Sequence, residues 1–154
     1  MPQYLDQYFL VANRDSEFVS AFLNRYLPDR KSSAEDYPVD SEAHTPIIFS
    51  ETSALLRYLE AHPDKDYSIY WRSSNPVATI QHAMAFYTRD GQLILGISIT
   101  GRHPEEPQST ALFKAIKTFL SAKVACITAE EPPPDNVPDF INFAAARFPH
   151  SGQL

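Results

Sequence analysis

Asp90-Gly91 is the feature that most narrows what this chain can fold into. The pair stands between two runs of alternating residues, and Asp-Gly is a preferred sequence for a two-residue type I′ hairpin turn, whose central positions both need positive φ. The pattern predicts antiparallel strands over about 79–88 and 92–100. If Arg89 faces Gln92, then Phe86 faces Leu95, Met84 faces Ile97 and His82 faces Ile99, which puts the large apolar residues on one face. Ala83, Ala85, Gly96 and Ser98 then make up the other face. A row that small either admits a closely packed helix, the favoured reading, or leaves a shallow trough for a ligand or partner.

Strand and helix patterns alternate on both sides of the hairpin. Residues 7–12, with Tyr8, Phe9, Leu10 and Val11, read as a first strand. Asp15 or Ser16 can cap a helix over 16–27 that carries Phe18, Val19, Phe22, Leu23 and Tyr26 and stops at Pro28. Residues 29–46 are the least patterned stretch and read as an exposed acidic loop containing Glu35, Asp36, Asp40 and Glu42. Ile47, Ile48 and Phe49 form a short strand. A helix with Leu55, Leu56 and Leu59 follows it, capped by Ser50 or Thr52 and ending before Pro63. Residues 67–72 alternate as a half-buried strand, with Tyr67, Ile69 and Trp71 on one side and Ser68, Tyr70 and Arg72 on the other. Beyond the hairpin come a helix over 107–122, a strand over 124–129 and a last helix over 138–148 that buries Phe140, Ile141, Ala144 and Phe148. Between the last two, Glu130-Glu131-Pro132-Pro133-Pro134-Asp135 forms a stiff acidic connector of polyproline geometry.

The resulting order is β-α-β-α-β-β-β-α-β-α with four helices, an α+β fold with a mixed sheet around a central antiparallel hairpin. A length of 154 residues suits one domain, 1–154. No internal repeat is visible.

Charge and composition narrow the function classes. A net charge of −6 repels phosphate backbones and anionic headgroups, which argues against nucleic acid and membrane partners, and it steers a basic protein toward this one. The lone Cys126 cannot close an intramolecular disulfide, and neither a signal peptide nor a membrane-spanning stretch is evident, so a cytoplasmic location is expected.

The motifs of catalysis and cofactor binding are missing. His44, His62, His82, His103 and His150 are scattered without metal-ligand spacing, and Cys126 sits inside a strand as an apolar filler, so no metal is expected. The four glycines fit no phosphate-binding fingerprint, and no cofactor is expected. His82 could serve as a general base only with a nucleophile and an orienting acid beside it, and a rim histidine satisfied by a carbonyl or water explains the residue more simply. The pairs Glu105-Glu106 and Glu130-Glu131 read as solvated acidic surface or as a docking site for a basic partner.

Length, acidity, the lone cysteine and the texture of 67–100 together resemble the immunity proteins encoded beside bacterial polymorphic toxins. The resemblance implies an inhibitor that neutralises a cognate, basic protein toxin by direct binding and performs no chemistry. Acidic and aromatic surface would carry that binding, with Glu35, Asp36, Tyr37, Asp40, Tyr70, Arg72, Glu130, Glu131 and Asp135 as candidates. The alternatives are a small enzyme with a site at the sheet rim, using His82, Arg72, Tyr70 or Ser98, and a ligand-binding accessory module.

Overall fold

The computed structural model describes residues 4–12, 14–40 and 45–149. Glu42, His44 and His150 lie outside them. In chain order the elements are β1 (Tyr4–Val11), α1 (Ser16–Tyr26), β2 (Arg30–Ser32), β3 (Tyr37–Val39), β4 (Ile47–Phe49), α2 (Thr52–Ala61), β5 (Tyr67–Ser73), β6 (Ile80–Tyr87), β7 (Leu93–Thr100), α3 (Pro107–Leu120), β8 (Val124–Thr128) and α4 (Val137–Ala145). The α+β class and the expected order are present, with β2 and β3 as additions inside the segment read as a loop. Six strands form one sheet of order β2-β5-β6-β7-β1-β8, and β3 pairs with β4 in a separate ribbon. The mixed sheet resolves into antiparallel ladders throughout the described residues.

The hairpin register differs by one residue from the expectation. Tyr87 pairs with Leu93, Ala85 with Leu95, Met84 with Gly96 and His82 with Ser98. The loop therefore holds three residues, with the Thr88 amide bonded to the Gln92 carbonyl at 3.0 Å and Gly91 at φ +88°, as in a turn closed by a left-handed residue. Neighbouring contacts favour this wider turn. Thr88 Oγ1 accepts from the Gln92 amide at 2.9 Å, Asp90 caps the Val137 amide at 2.9 Å, and the Arg89 amide reaches the Asp135 carbonyl at 3.2 Å.

Since cross-strand partners share a face, the shift redistributes the hairpin. Ala83, Ala85 and Tyr87 lie with Leu93, Leu95, Ile97 and Ile99 on the face that also holds Leu5, Phe9, Ile69 and Trp71. The apolar stripes of α1 (Val19, Phe22, Leu23), α2 (Leu55, Leu56, Leu59) and α3 (Phe113, Ile116, Leu120) cover it. Ala83 and Ala85 are thus beneath helices, as favoured, whereas Gly96 and Ser98 are on the opposite face, and the four form no single row. Tyr87 is core.

Helix ends follow local chemistry. Asp15 caps α1 by accepting from the Glu17 amide at 2.9 Å, and Asn136 caps α4 by accepting from the Asp139 amide at 3.0 Å. The N-cap of α2 is Glu51, without a side-chain cap bond, in place of the Ser50 or Thr52 expected. In α4 Phe140 and Ala144 are buried, but Ile141 is 44% exposed because the helix turns that side to solvent.

Arg14 ties together the end of the molecule opposite the first residues of β1. The residue is buried, 4% exposed, and its guanidinium donates through Nη1 to the carbonyls of Leu59 (3.2 Å), His62 (3.2 Å) and Lys65 (3.0 Å). Through Nη2 it donates to the carbonyls of Thr88 and Gln92, the latter at 3.1 Å. The guanidinium thus joins the C-terminus of α2, the loop after it and both ends of the hairpin loop, the Leu59, His62, Thr88 and Gln92 carbonyls accepting from it as well as from a backbone amide.

The sheet ends on the three-residue β2 at one edge and on β8 at the other; β2 pairs with the C-terminal part of β5, and the Ile127 amide of β8 donates to the Phe148 carbonyl at 2.6 Å.

Candidate functional site

The face of the sheet away from α1, α2 and α3 is only half covered. α4 lays Phe140 and Ala144 over Tyr8, Ile94 and Cys126, and the remainder holds a cavity of about 310 Å³. Strand alternation delivers its lining: Tyr4, Asp6 and Tyr8 from β1, His82, Met84 and Phe86 from β6, Ser98 from β7 and Tyr70 from β5. Glu130 and Pro132 of the connector close one side. Gly96 lets the Tyr8 ring lie close against the sheet, since a Cβ there would stand 2.9 Å from Tyr8 Cδ1 and 3.2 Å from the Gln7 carbonyl oxygen.

Asp6 is the chemical centre of this face. It is 9% exposed and accepts a hydrogen bond from Ser98 Oγ. Tyr8 Oη lies 3.4 Å from its second oxygen, but the same hydroxyl donates to the Glu131 carbonyl at 2.7 Å, so Asp6 receives one good donor. No cation pairs with Asp6 among the described residues. Burial therefore raises its carboxyl above the ordinary range, and the charge of Glu130 adds to the rise, while the hydroxyl contacts and His82 oppose it.

Aromatic rings surround the carboxyl. Tyr4 meets His82 edge to face at 5.4 Å, and Phe86 is met the same way by Tyr8 at 5.9 Å and Tyr70 at 5.7 Å. Glu130 occupies the left-handed region, φ 60°, a conformation that costs a non-glycine residue about 1 kcal/mol. Such outliers are tolerated where the surrounding structure or a function requires them.

The residues expected to bind a partner separate into three groups. Tyr70, 45% exposed, lines the cavity, Arg72 follows on the same face opposite His82, and Glu130 stands at the rim. Glu131 turns away to form a two-point ion pair with Arg147, 2.8 Å at the closer contact, and Arg147 stacks on Phe143 at 3.7 Å. Asp135 lies 3.7 Å from Arg89 at the hairpin tip. Glu35, Asp36 and Asp40 are exposed around β3 and do not line the cavity. Tyr37 corrects the expectation of an exposed aromatic: pairing of β3 with β4 turns Tyr37 and Val39 into the core, at 5% and 4% exposure.

His82 is also relocated. It stands across from Ser98 on the half-open face, away from Ile99. The rim residues His82, Arg72, Tyr70 and Ser98 do share one face, yet Ser98 Oγ donates to Asp6 directly. Asp6 and Tyr4 were missed because the first strand was expected to begin at residue 7. The alternation Tyr4, Asp6, Tyr8 against Leu5, Gln7, Phe9 was the available clue, blurred by Gln7, which is buried on the core face and donates to the Ser109 carbonyl at 3.0 Å.

No group of three or more potential metal ligands converges among the described residues. No helix among them is long and apolar enough to cross a membrane. Cys126 is fully buried, and burial pushes its thiol up to about 12. Compared with known proteins, the chain matches no family model, no curated protein and no solved structure, and its functional reading rests on the geometry of this half-open face.

Proposed function

We propose that the chain is a cytoplasmic immunity or inhibitor protein that neutralises a basic bacterial protein toxin by docking it on the uncovered half of the sheet. One observation carries the reading: beyond α4 the face of the six-stranded sheet holds an open cavity at which Tyr4 and the exposed Tyr70 stand with Asp6 and Glu130. Aromatic residues set on a stiff scaffold lose little entropy on binding and dominate many interfaces. The net charge of −6 supplies the steering field for a positive partner. Tyr70, Arg72 and Glu130 of the expected set fall on this surface, whereas Glu35, Asp36 and Asp40 contribute at a distance, through the field.

A serine-triad reading of the same face requires an imidazole between hydroxyl and acid, and here Ser98 Oγ donates directly to Asp6.

The test is to titrate the purified protein with toxins encoded beside its gene, by calorimetry and by a protection assay in cells. A soluble 1:1 complex and survival are expected, with Tyr70→Ala weakening the complex by about 2 kcal/mol, roughly 30-fold. Absence of any complex rejects the function. An affinity unchanged by Tyr70→Ala and by Glu130→Gln rejects this face.

A further inference from the structure

Resting on that docking reading, we infer that the cavity over Asp6 is a socket for one long cationic side chain of the partner, an arginine or lysine whose head group reaches the Asp6 carboxylate between the rings of Tyr4, Tyr70 and Phe86.

Unmatched charge is the first ground. A buried carboxyl is ordinarily paired or supplied with several donors; the one buried guanidinium described, that of Arg14, by comparison reaches five carbonyls. Asp6 has one good donor and no cation among the described residues, and it borders an open cavity. The energetic cost of holding it there is offset when a positive group enters.

Shape and wall chemistry agree with this. About 310 Å³ lies at the small end of the range for ligand pockets, the scale of one side chain more than of a dinucleotide or a peptide. The walls are aromatic rings and the Met84 thioether, which attract a cation through the ring quadrupole and accommodate its methylene stem. Glu130 at the rim adds negative potential that disfavours anions and favours cations.

The experiment uses the full chain and three probes, N-acetyl-arginine methylamide, N-acetyl-lysine methylamide and the uncharged N-acetyl-norleucine methylamide, followed by amide chemical shifts. Saturable shifts centred on Asp6, His82 and Ser98 are expected with the two cationic probes, in the millimolar range, and none with norleucine. Asp6→Asn should weaken them by about tenfold or more, and Tyr70→Ala, at an exposed position tolerant of substitution, by about threefold. No saturable shift with either cation, equal binding of norleucine, or unchanged binding by a folded Asp6→Asn variant overturns the socket. If Asp6→Asn does not fold, the comparison of charged with uncharged probes on the wild type decides alone. A toxin that binds Asp6→Asn as tightly as wild type overturns the socket and leaves the docking reading standing. Probe binding with no toxin complex overturns the docking reading and supports the socket as a cation site.

Discussion

Replacing Arg14 by methionine keeps an apolar stem of similar length and removes the donors that close one end of the molecule. The two Nη groups carry four N–H bonds and face five carbonyls, in the α2 C-terminus, the loop after it and the hairpin turn. Each hydrogen bond from a charged group contributes about 1.5–3 kcal/mol net of water, so four amount to roughly 6–12 kcal/mol gross. Desolvating the guanidinium costs several kcal/mol against this, which leaves a net contribution of about 3–5 kcal/mol. We expect that loss, a large part of the roughly 5–15 kcal/mol typical of a folded domain. Urea unfolding followed by the fluorescence of Trp71, which is 2% exposed, is a suitable assay. With m near about 2 kcal/mol/M, the midpoint should fall by about 1.5–2.5 M. Arg14→Lys retains the charge but gathers its donors at one point and should recover less than half. A midpoint shift under about 0.5 M for the methionine variant, at unchanged m, would refute the claim that the guanidinium holds these segments together.

Two further predictions concern the half-open face. The raised Asp6 carboxyl means that the folded state binds its proton more tightly than the unfolded state does, so this residue lowers stability progressively as pH rises from its ordinary range to its raised value, and the loss is complete above that. Asp6→Asn should therefore gain on wild type with rising pH in paired urea titrations, and wild type gaining on the variant instead would contradict the assignment. Cys126, with no exposed surface and its thiol raised to about 12, should resist Ellman's reagent in the native protein and react at the rate of unfolding, so rapid native labelling would show that α4 does not seal it.

Fold class and element order were legible because they depend on periodicity, which a single segment displays by itself. The partition of the hairpin was not. It turns on whether the Asp90-Gly91 loop holds two residues or three, and the decision is made by Thr88, the Val137 amide and the Asp135 carbonyl, the last two distant in sequence. That single residue moves Gly96 and Ser98 from the company of Ala83 to that of Met84 and His82, and with them the cavity. β2 and β3 were hidden because each is three residues long and polar or proline-interrupted, so neither shows a strand pattern until its partner is in place. Tyr70 and Arg72, named from residue type and strand parity, and Glu130, named from the acidic connector, lie on or beside the half-open face, while Asp6 required knowing which strands flank it.

The margins of the sheet govern how another protein can approach. One ends in β2, a strand of three residues bearing Arg30 and Lys31, and the outer side of β8 is interrupted at Ile127 by the Phe148 carbonyl. Short, charged or interrupted edges of this kind guard against self-polymerisation and disfavour recognition by strand addition. They favour contact through side chains, where affinity can be retuned one substitution at a time without altering the backbone beneath.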